Sequence, residues 1–150
     1  MPDPAPCLFM APLTKYLNKE AVRHALHIPD SLPAFEMCNF QTLLTYTKLQ
    51  KGSKWIYEEL KHEGYKFLIF AGDTDGAVPS NGNQRWIRSL NWKRTQEWRP
   101  FYVNEQVGGY VEEFEPLTFG TVHGAGHMAP QWRRAENYHL VFQWIKGEKI

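Results

Sequence analysis

Residues 65–75 read Tyr-Lys-Phe-Leu-Ile-Phe-Ala-Gly-Asp-Thr-Asp. The first seven are rich in β-formers and nearly continuous in apolar side chains, which predicts an inner parallel strand over 65–71, buried on both faces of its sheet. Gly72 then turns the chain, and the tetrad 72–75 sets two carboxylates on the loop that follows. In an open α/β sheet, ligands and reacting groups gather at the carboxyl ends of the strands. A helix capped by Ser80 or Asn81, with Trp86, Ile87 and Leu90 inward, would complete a strand, loop, helix unit.

Downstream, residues 99–103 and 106–114 predict a hairpin around Asn104 and Glu105. A further β run over 117–122 leads to a second glycine-rich loop, Gly-Ala-Gly-His-Met-Ala-Pro (124–130). Beyond Pro130, the spacing of Tyr138, Val141, Phe142 and Ile145 predicts a helix, and Gly147 marks its end. Three helices are expected upstream. The first has an apolar face of Tyr16, Leu17, Val22, Ala25 and Leu26 and is stopped by Pro29 and Pro33. Phe40, Leu43, Leu44 and Thr47 continue toward Gly52, and Trp55, Ile56, Tyr57 and Leu60 mark a third helix ending near Gly64. Pro2, Pro4, Pro6 and Pro12 oppose helix and predict an extended N-terminal arm over 1–13. Residues 14–150 then form one α/β portion, with a helical segment over 14–63 and an acid- and histidine-bearing segment over 64–150.

Composition excludes several classes. With 150 residues, 43% apolar and 15% aromatic, the chain can bury a core. Its net charge of +1, from 17 basic and 16 acidic residues scattered along the sequence, offers no stripe for nucleic acid. There is no run of eighteen apolar residues and no signal-like start, so no membrane span is expected and any targeting segment would lie upstream. The spacing of Cys7 and Cys38 fits neither a metal set nor a Cys-x-x-Cys pair. Spacing leaves open whether they are free thiols, bonded to each other, or bonded to absent sequence.

Asp75 and His127 are the candidate reacting groups. A carboxylate at 75 would accept a hydrogen bond from one imidazole nitrogen of His127, fix its tautomer, and stabilise the imidazolium formed when the ring takes a serine proton. Neither group needs a metal, and no cofactor is expected. In α/β-hydrolases the order is nucleophile, acid, histidine, with the nucleophile on a Gly-x-Ser-x-Gly turn. The four serines, Ser31, Ser53, Ser80 and Ser89, lack those flanks. The chain therefore reads as the second part of a longer enzyme. Alone, Gly-Asp-x-Asp also describes an ordinary turn whose aspartates cap amides, and a Gly-x-Gly-His loop is often structural; their conjunction favours the pair. Asp73, next to Gly72, is expected to brace the loop. Gly124 and Gly126 would let the chain turn and bring the ring into a crowded site, while Pro130 restricts the loop.

The remaining histidines and tryptophans read as structure. His123 is assigned to a strand end, because the glycines between it and His127 exclude the shared helical face of a two-histidine metal pair. His24, His27, His62 and His139 read as surface or capping groups. Trp86, Trp92, Trp98, Trp132 and Trp144 are expected in packing. Lys15, Lys19 and Arg23 are expected on a solvated helix face.

Taken together, Tyr16-Leu-Asn, Val22-Arg-His-Ala-Leu-His-Ile, Met37-Cys-Asn-Phe, Phe70-Ala-Gly-Asp-Thr-Asp, Gln106-Val-Gly-Gly-Tyr and Thr121-Val-His-Gly-Ala-Gly-His-Met-Ala-Pro resemble the serine carboxypeptidases. The likeness is strongest to the carboxyl-terminal chain of cathepsin A-like, lysosomal or vacuolar members. It implies the C-terminal part of an α/β-hydrolase fold, an incomplete sheet with the final strands and helices. It also implies an acid at Asp75, a base at His127, and Met128 lining the pocket for the departing residue. The serine, the oxyanion-hole amides and the groups that hold the substrate carboxylate would come from an upstream large chain. Cys7 and Cys38 match positions that pair with that chain, so the resemblance implies that they do not bond to each other. It further implies a peptide substrate, a homodimer of the full enzyme, and a lysosomal, vacuolar or secreted location.

The function expected is that of a serine carboxypeptidase fragment, inert alone, which releases C-terminal residues of peptides through an acyl-enzyme. A carboxypeptidase-like acyltransferase fragment and a non-catalytic binding or protective module are the alternatives. In isolation such a piece is expected to show Phe67, Ile69 and Phe119 to water.

Overall fold

A computed structural model describes residues 6–37, 39–48 and 52–150. The chain divides into two compact units, Met1–Leu49 and Gln50–Ile150. In the first, α1 (Pro6–Leu17), α2 (Glu20–Ala25) and α3 (Phe40–Thr45) are short helices. The expected arm over 1–13 is thus helical from Pro6 onward, and residues 1–5 lie outside the described residues. Pro6 falls at the first helical position, where a missing N–H costs nothing; only Pro12 sits inside the helix. The single helix expected to run from Thr14 to Leu26 is broken at Asn18. Its side chain donates to the carbonyls of Thr14 and Phe35 and accepts from the Phe35 amide, which offers the backbone an alternative to continuing the helix. Arg23 is not merely solvated: its guanidinium donates to the carbonyls of Pro29, Leu32 and Pro33.

The second unit is α/β. It runs α4 (Lys54–His62), β1 (Phe67–Gly72), α5 (Ser80–Arg88), β2 (Arg94–Val103), β3 (Gln106–Phe114), β4 (Leu117–Val122), α6 (Ala129–Trp132) and α7 (Arg134–Lys146). The strand order is β1-β4-β3-β2, with β1 parallel to β4 and the other pairs antiparallel. The β1–β4 register runs from Phe67 opposite Leu117 to Gly72 opposite Val122. Both strands therefore end together, and their following loops emerge at one edge. The hairpin turns through Asn104 and Glu105, at φ 49° and 63°, the two-residue geometry that matches strand twist. β2 starts at Arg94, earlier than expected, because its exposed and mostly polar first half pairs with β3 through register shifts.

Alternation along β1 divides the core. Phe67 and Ile69 pack with Ile87, Leu90, Phe114, Leu117 and Phe119 on one face; Leu68 and Phe70 pack with Phe101, Val111, Val122 and Leu140 on the other. Phe119 is fully buried rather than facing water, and Trp98 stacks on it at 5.9 Å. Phe67 and Ile69 are half-buried. The helix expected beyond Pro130 is present as α7, and most of its large apolar residues face outward. Tyr138 and Ile145 are 63% and 62% exposed, whereas Leu140 and Asn137 are buried. Gly120 explains the choice: a Cβ there would sit 3.0 Å from Leu140, so its absence opens the hollow that Leu140 fills. Tyr57 on α4 packs its ring 5.3 Å from Phe67 and 5.1 Å from Trp86, while Trp55 and Ile56 are exposed.

Candidate active site

The loops after β1 and β4 are bonded to each other almost residue by residue. Asp73 donates its amide to the Val122 carbonyl, and Thr74 donates both its amide and its hydroxyl to the Ala125 carbonyl, at 3.0 and 2.7 Å. Gly72 is required here, because a Cβ would collide with the carbonyls of Ala125 and Gly126. Gly124 adopts φ +65° and lies under the Arg133 guanidinium, where a Cβ would come within 2.7 Å. The tight approach expected of Gly126 belongs instead to Gly72, since open space surrounds the Cβ position at 126.

Asp75 and His127 meet in this frame. Asp75 Oδ2 lies 2.9 Å from His127 Nδ1, and Oδ1 accepts the amides of Ala77 and Val78 at 2.8 and 3.0 Å. The Asp75 side chain is 5% exposed and the His127 ring 64%. The Val78 amide above all, then the His127 hydrogen bond and the Ala77 amide, hold the Asp75 carboxyl below its ordinary range against the opposing effect of burial. An ionised carboxylate only accepts, so Nδ1 carries the ring proton and Nε2 is the basic position. The arrangement can take a proton at Nε2 and stabilise the resulting imidazolium.

A second pair lies beside the first. Asp73 Oδ2 is 2.7 Å from His123 Nδ1, and Asp73 Oδ1 accepts the Gly124 amide at 2.7 Å. Asp73 thus braces the loop as expected. The sequence reading missed its bond to His123, because only the β1–β4 pairing brings the two together.

Met128, half-buried, uses its carbonyl to accept from Gln131 and Trp132 at the start of α6. The hollow of about 160 Å³ beside the Asp75–His127 pair is lined by Phe70, Val78, Asn83, Ala129 and Pro130 among others, with Met128 outside that lining. No serine lines it among the described residues. A more apolar hollow of about 380 Å³ belongs to the first unit and contains neither Asp–His pair. Among the described residues there is no cluster of three or more His, Cys, Asp or Glu fit for a metal, and no helix long and apolar enough to cross a membrane. Cys38 and the side chain of Cys7 lie outside the described residues.

Comparison with known proteins places the chain in a family. The serine carboxypeptidase family profile matches residues 2–147. The chain is 41% identical to the lysosomal protective protein of Mus musculus, over 97% of this chain and 32% of that protein. It is 36% identical to serine carboxypeptidase 1 of Hordeum vulgare, over 97% of this chain and 29% of that protein. The fold superposes on the prohormone-processing carboxypeptidase Kex1Δp of Saccharomyces cerevisiae with a TM-score of 0.65 at 20% identity, covering 92% of this chain and 32% of that one. The chain therefore spans about a third of the length of these relatives.

Proposed function

Since this chain belongs to the serine carboxypeptidase family as a C-terminal portion, we propose that it supplies the acid, Asp75, and the base, His127, of a Ser-Asp-His triad whose serine lies on an upstream segment. The assembled enzyme releases C-terminal residues from peptides. His127 Nε2 takes the serine proton as the hydroxyl attacks the scissile carbonyl, then returns it to the leaving amine. The acyl-serine ester is hydrolysed by a water that the same nitrogen deprotonates, and that proton passes to the departing serine oxygen, restoring the hydroxyl and the neutral ring. Asp75 stays ionised throughout and holds the ring. The family resemblance assigns Met128 to the space for the departing residue, which the upstream segment completes, since Met128 does not line the hollow beside the pair.

The observation that carries this reading is the 2.9 Å contact between Asp75 Oδ2 and His127 Nδ1, made by a carboxylate whose other oxygen is already held by two amides. Rigid carboxylate and exposed ring together match what a triad asks of its acid and base. The upstream chain is the partner, joined through Cys7 and Cys38, and the location is lysosomal, vacuolar or secreted.

The test is to combine this chain with the complementary segment carrying the serine and to assay a blocked dipeptide at acidic pH. His127→Ala is expected to lower kcat by a factor on the order of 10⁴ or more. Full activity of that variant would overturn the assignment. Analysis of products with peptide and acyl-ester donors separates hydrolysis from transfer of the acyl group to an alcohol, which would use the same pair.

A further inference from the structure

The His127 ring is 64% exposed, and its bond to Asp75 is the one side-chain hydrogen bond it makes among the described residues. Packing therefore does little to aim it, and its direction comes from the backbone of 123–126. That backbone is fastened to the loop after β1 at successive residues. His123 is held through its ring and Gly124 through its amide, both to Asp73, and Ala125 is held through its carbonyl to Thr74. Asp73 supplies two of these fastenings, one from each carboxylate oxygen, and its own amide is fixed to Val122.

We propose that Asp73, with His123 as its partner, is a positioning residue for His127: it clamps the turn at Gly124 to the end of β1 so that the imidazole stays in register with Asp75. The inference rests on the reading of His127 as the base. Solvent decides between this and a stabilising role. Asp73 is 28% exposed and His123 60% exposed, and an ion pair so wetted contributes little to folding free energy. A carboxylate hydrogen bond to a backbone amide still fixes geometry. Gly124 is the pivot, in the left-handed region and three residues before His127, and its amide is the group that Asp73 holds. Without Asp73 the pivot keeps only its neighbours' bonds, and the ring samples positions off the Asp75 axis.

The experiment uses the enzyme assembled from the full chain and the segment carrying the serine, with active sites counted by a serine-directed sulfonylating reagent. Asp73→Ala is expected to lower kcat per titrated site about 10- to 100-fold with KM nearly unchanged, as sub-ångström to ångström misplacement of a reacting group does. The downfield Nδ1 proton resonance of His127 should broaden or vanish. Asp73→Asn, which keeps an acceptor for the Gly124 amide, should restore most of the rate. An unchanged kcat per site together with an unchanged Nδ1 resonance in Asp73→Ala would overturn the inference. So would fewer sites of full activity, the pattern of a purely structural residue. Should Asp73→Ala yield no titratable sites, His123→Ala and Thr74→Val carry the test by the same two readouts, each with a severalfold loss expected and wild-type values overturning it. Failure of the underlying reading is distinguishable: His127→Ala would then stay active while Asp73→Ala still disturbed the Nδ1 resonance.

Discussion

A carboxylate that accepts two backbone amides and one imidazole is held ionised and held still, and both properties matter for Asp75. Asp75→Asn separates them. The amide oxygen can still accept from Ala77 and Val78, but the NH₂ group facing His127 donates and drives the ring proton to Nε2, the position that must be basic. A fall in kcat of about 10⁴-fold with little change in the fold is expected from steady-state assay of the assembled enzyme. The same residue sets a pH signature. Its folded pKa lies below the ordinary value of about 3.9, so the stabilisation is present above that value and is lost as pH falls through the lowered one. Thermal melts from about pH 2 to pH 7 should show wild type above Asp75→Asn at the neutral end, converging at the acid end. Equal differences across the range would contradict the assignment. At this scale the sequence was informative: Asp75 and His127 were legible because two glycine-bearing loops followed two β runs. The bond of their neighbour His123 to Asp73 was not, since His123 ends a β run with no motif of its own to mark a partner and only strand pairing reveals it.

Between elements, Glu112 forms a buried polar junction. This β3 carboxylate is fully buried on the α5 face and accepts from Arg88 and Arg94, each at 3.1 Å, and from Gln84 at 3.4 Å. The two arginine side chains are 48% and 43% exposed, so the junction is asymmetric. Removing both arginines strands a buried charge, whereas removing the glutamate lets two arginines turn to water. Urea unfolding should show the double variant Arg88→Ala/Arg94→Ala losing about 3–5 kcal/mol and Glu112→Leu losing about 1 kcal/mol. The reverse order would refute this account. Such a junction leaves no mark in the sequence, where Glu112 follows Val111 in a strand that could as well expose it. Face choice on α7 was similarly hidden. Periodicity found the helix, but its apolar band is wide, and the hollow at Gly120 selects Leu140 while leaving Tyr138 and Phe142 outward, stacked on each other at 4.2 Å.

Over the whole molecule, β1 is an edge of the four-stranded sheet although its residues pack on both faces. A strand of that character belongs inside a sheet, and the chain spans about a third of its relatives' length. Adding the complementary segment should therefore slow hydrogen exchange of the β1 amides that do not bond to β4 by at least about 10-fold, with β3 little changed. Equal protection in the chain alone and in the mixture would show that β1 gains no neighbour. The succession of strands from β1 to β4 and the hairpin turn at Asn104 could be read along the chain, because local backbone preference and apolar period act between near neighbours, whereas the acid and histidine loops were paired on their motifs. Which side of α7 is buried, where Glu112 finds its counter-charges, and how Asp73 reaches His123 depend on groups remote in sequence. Those contacts exist only once β1 and β4 lie side by side.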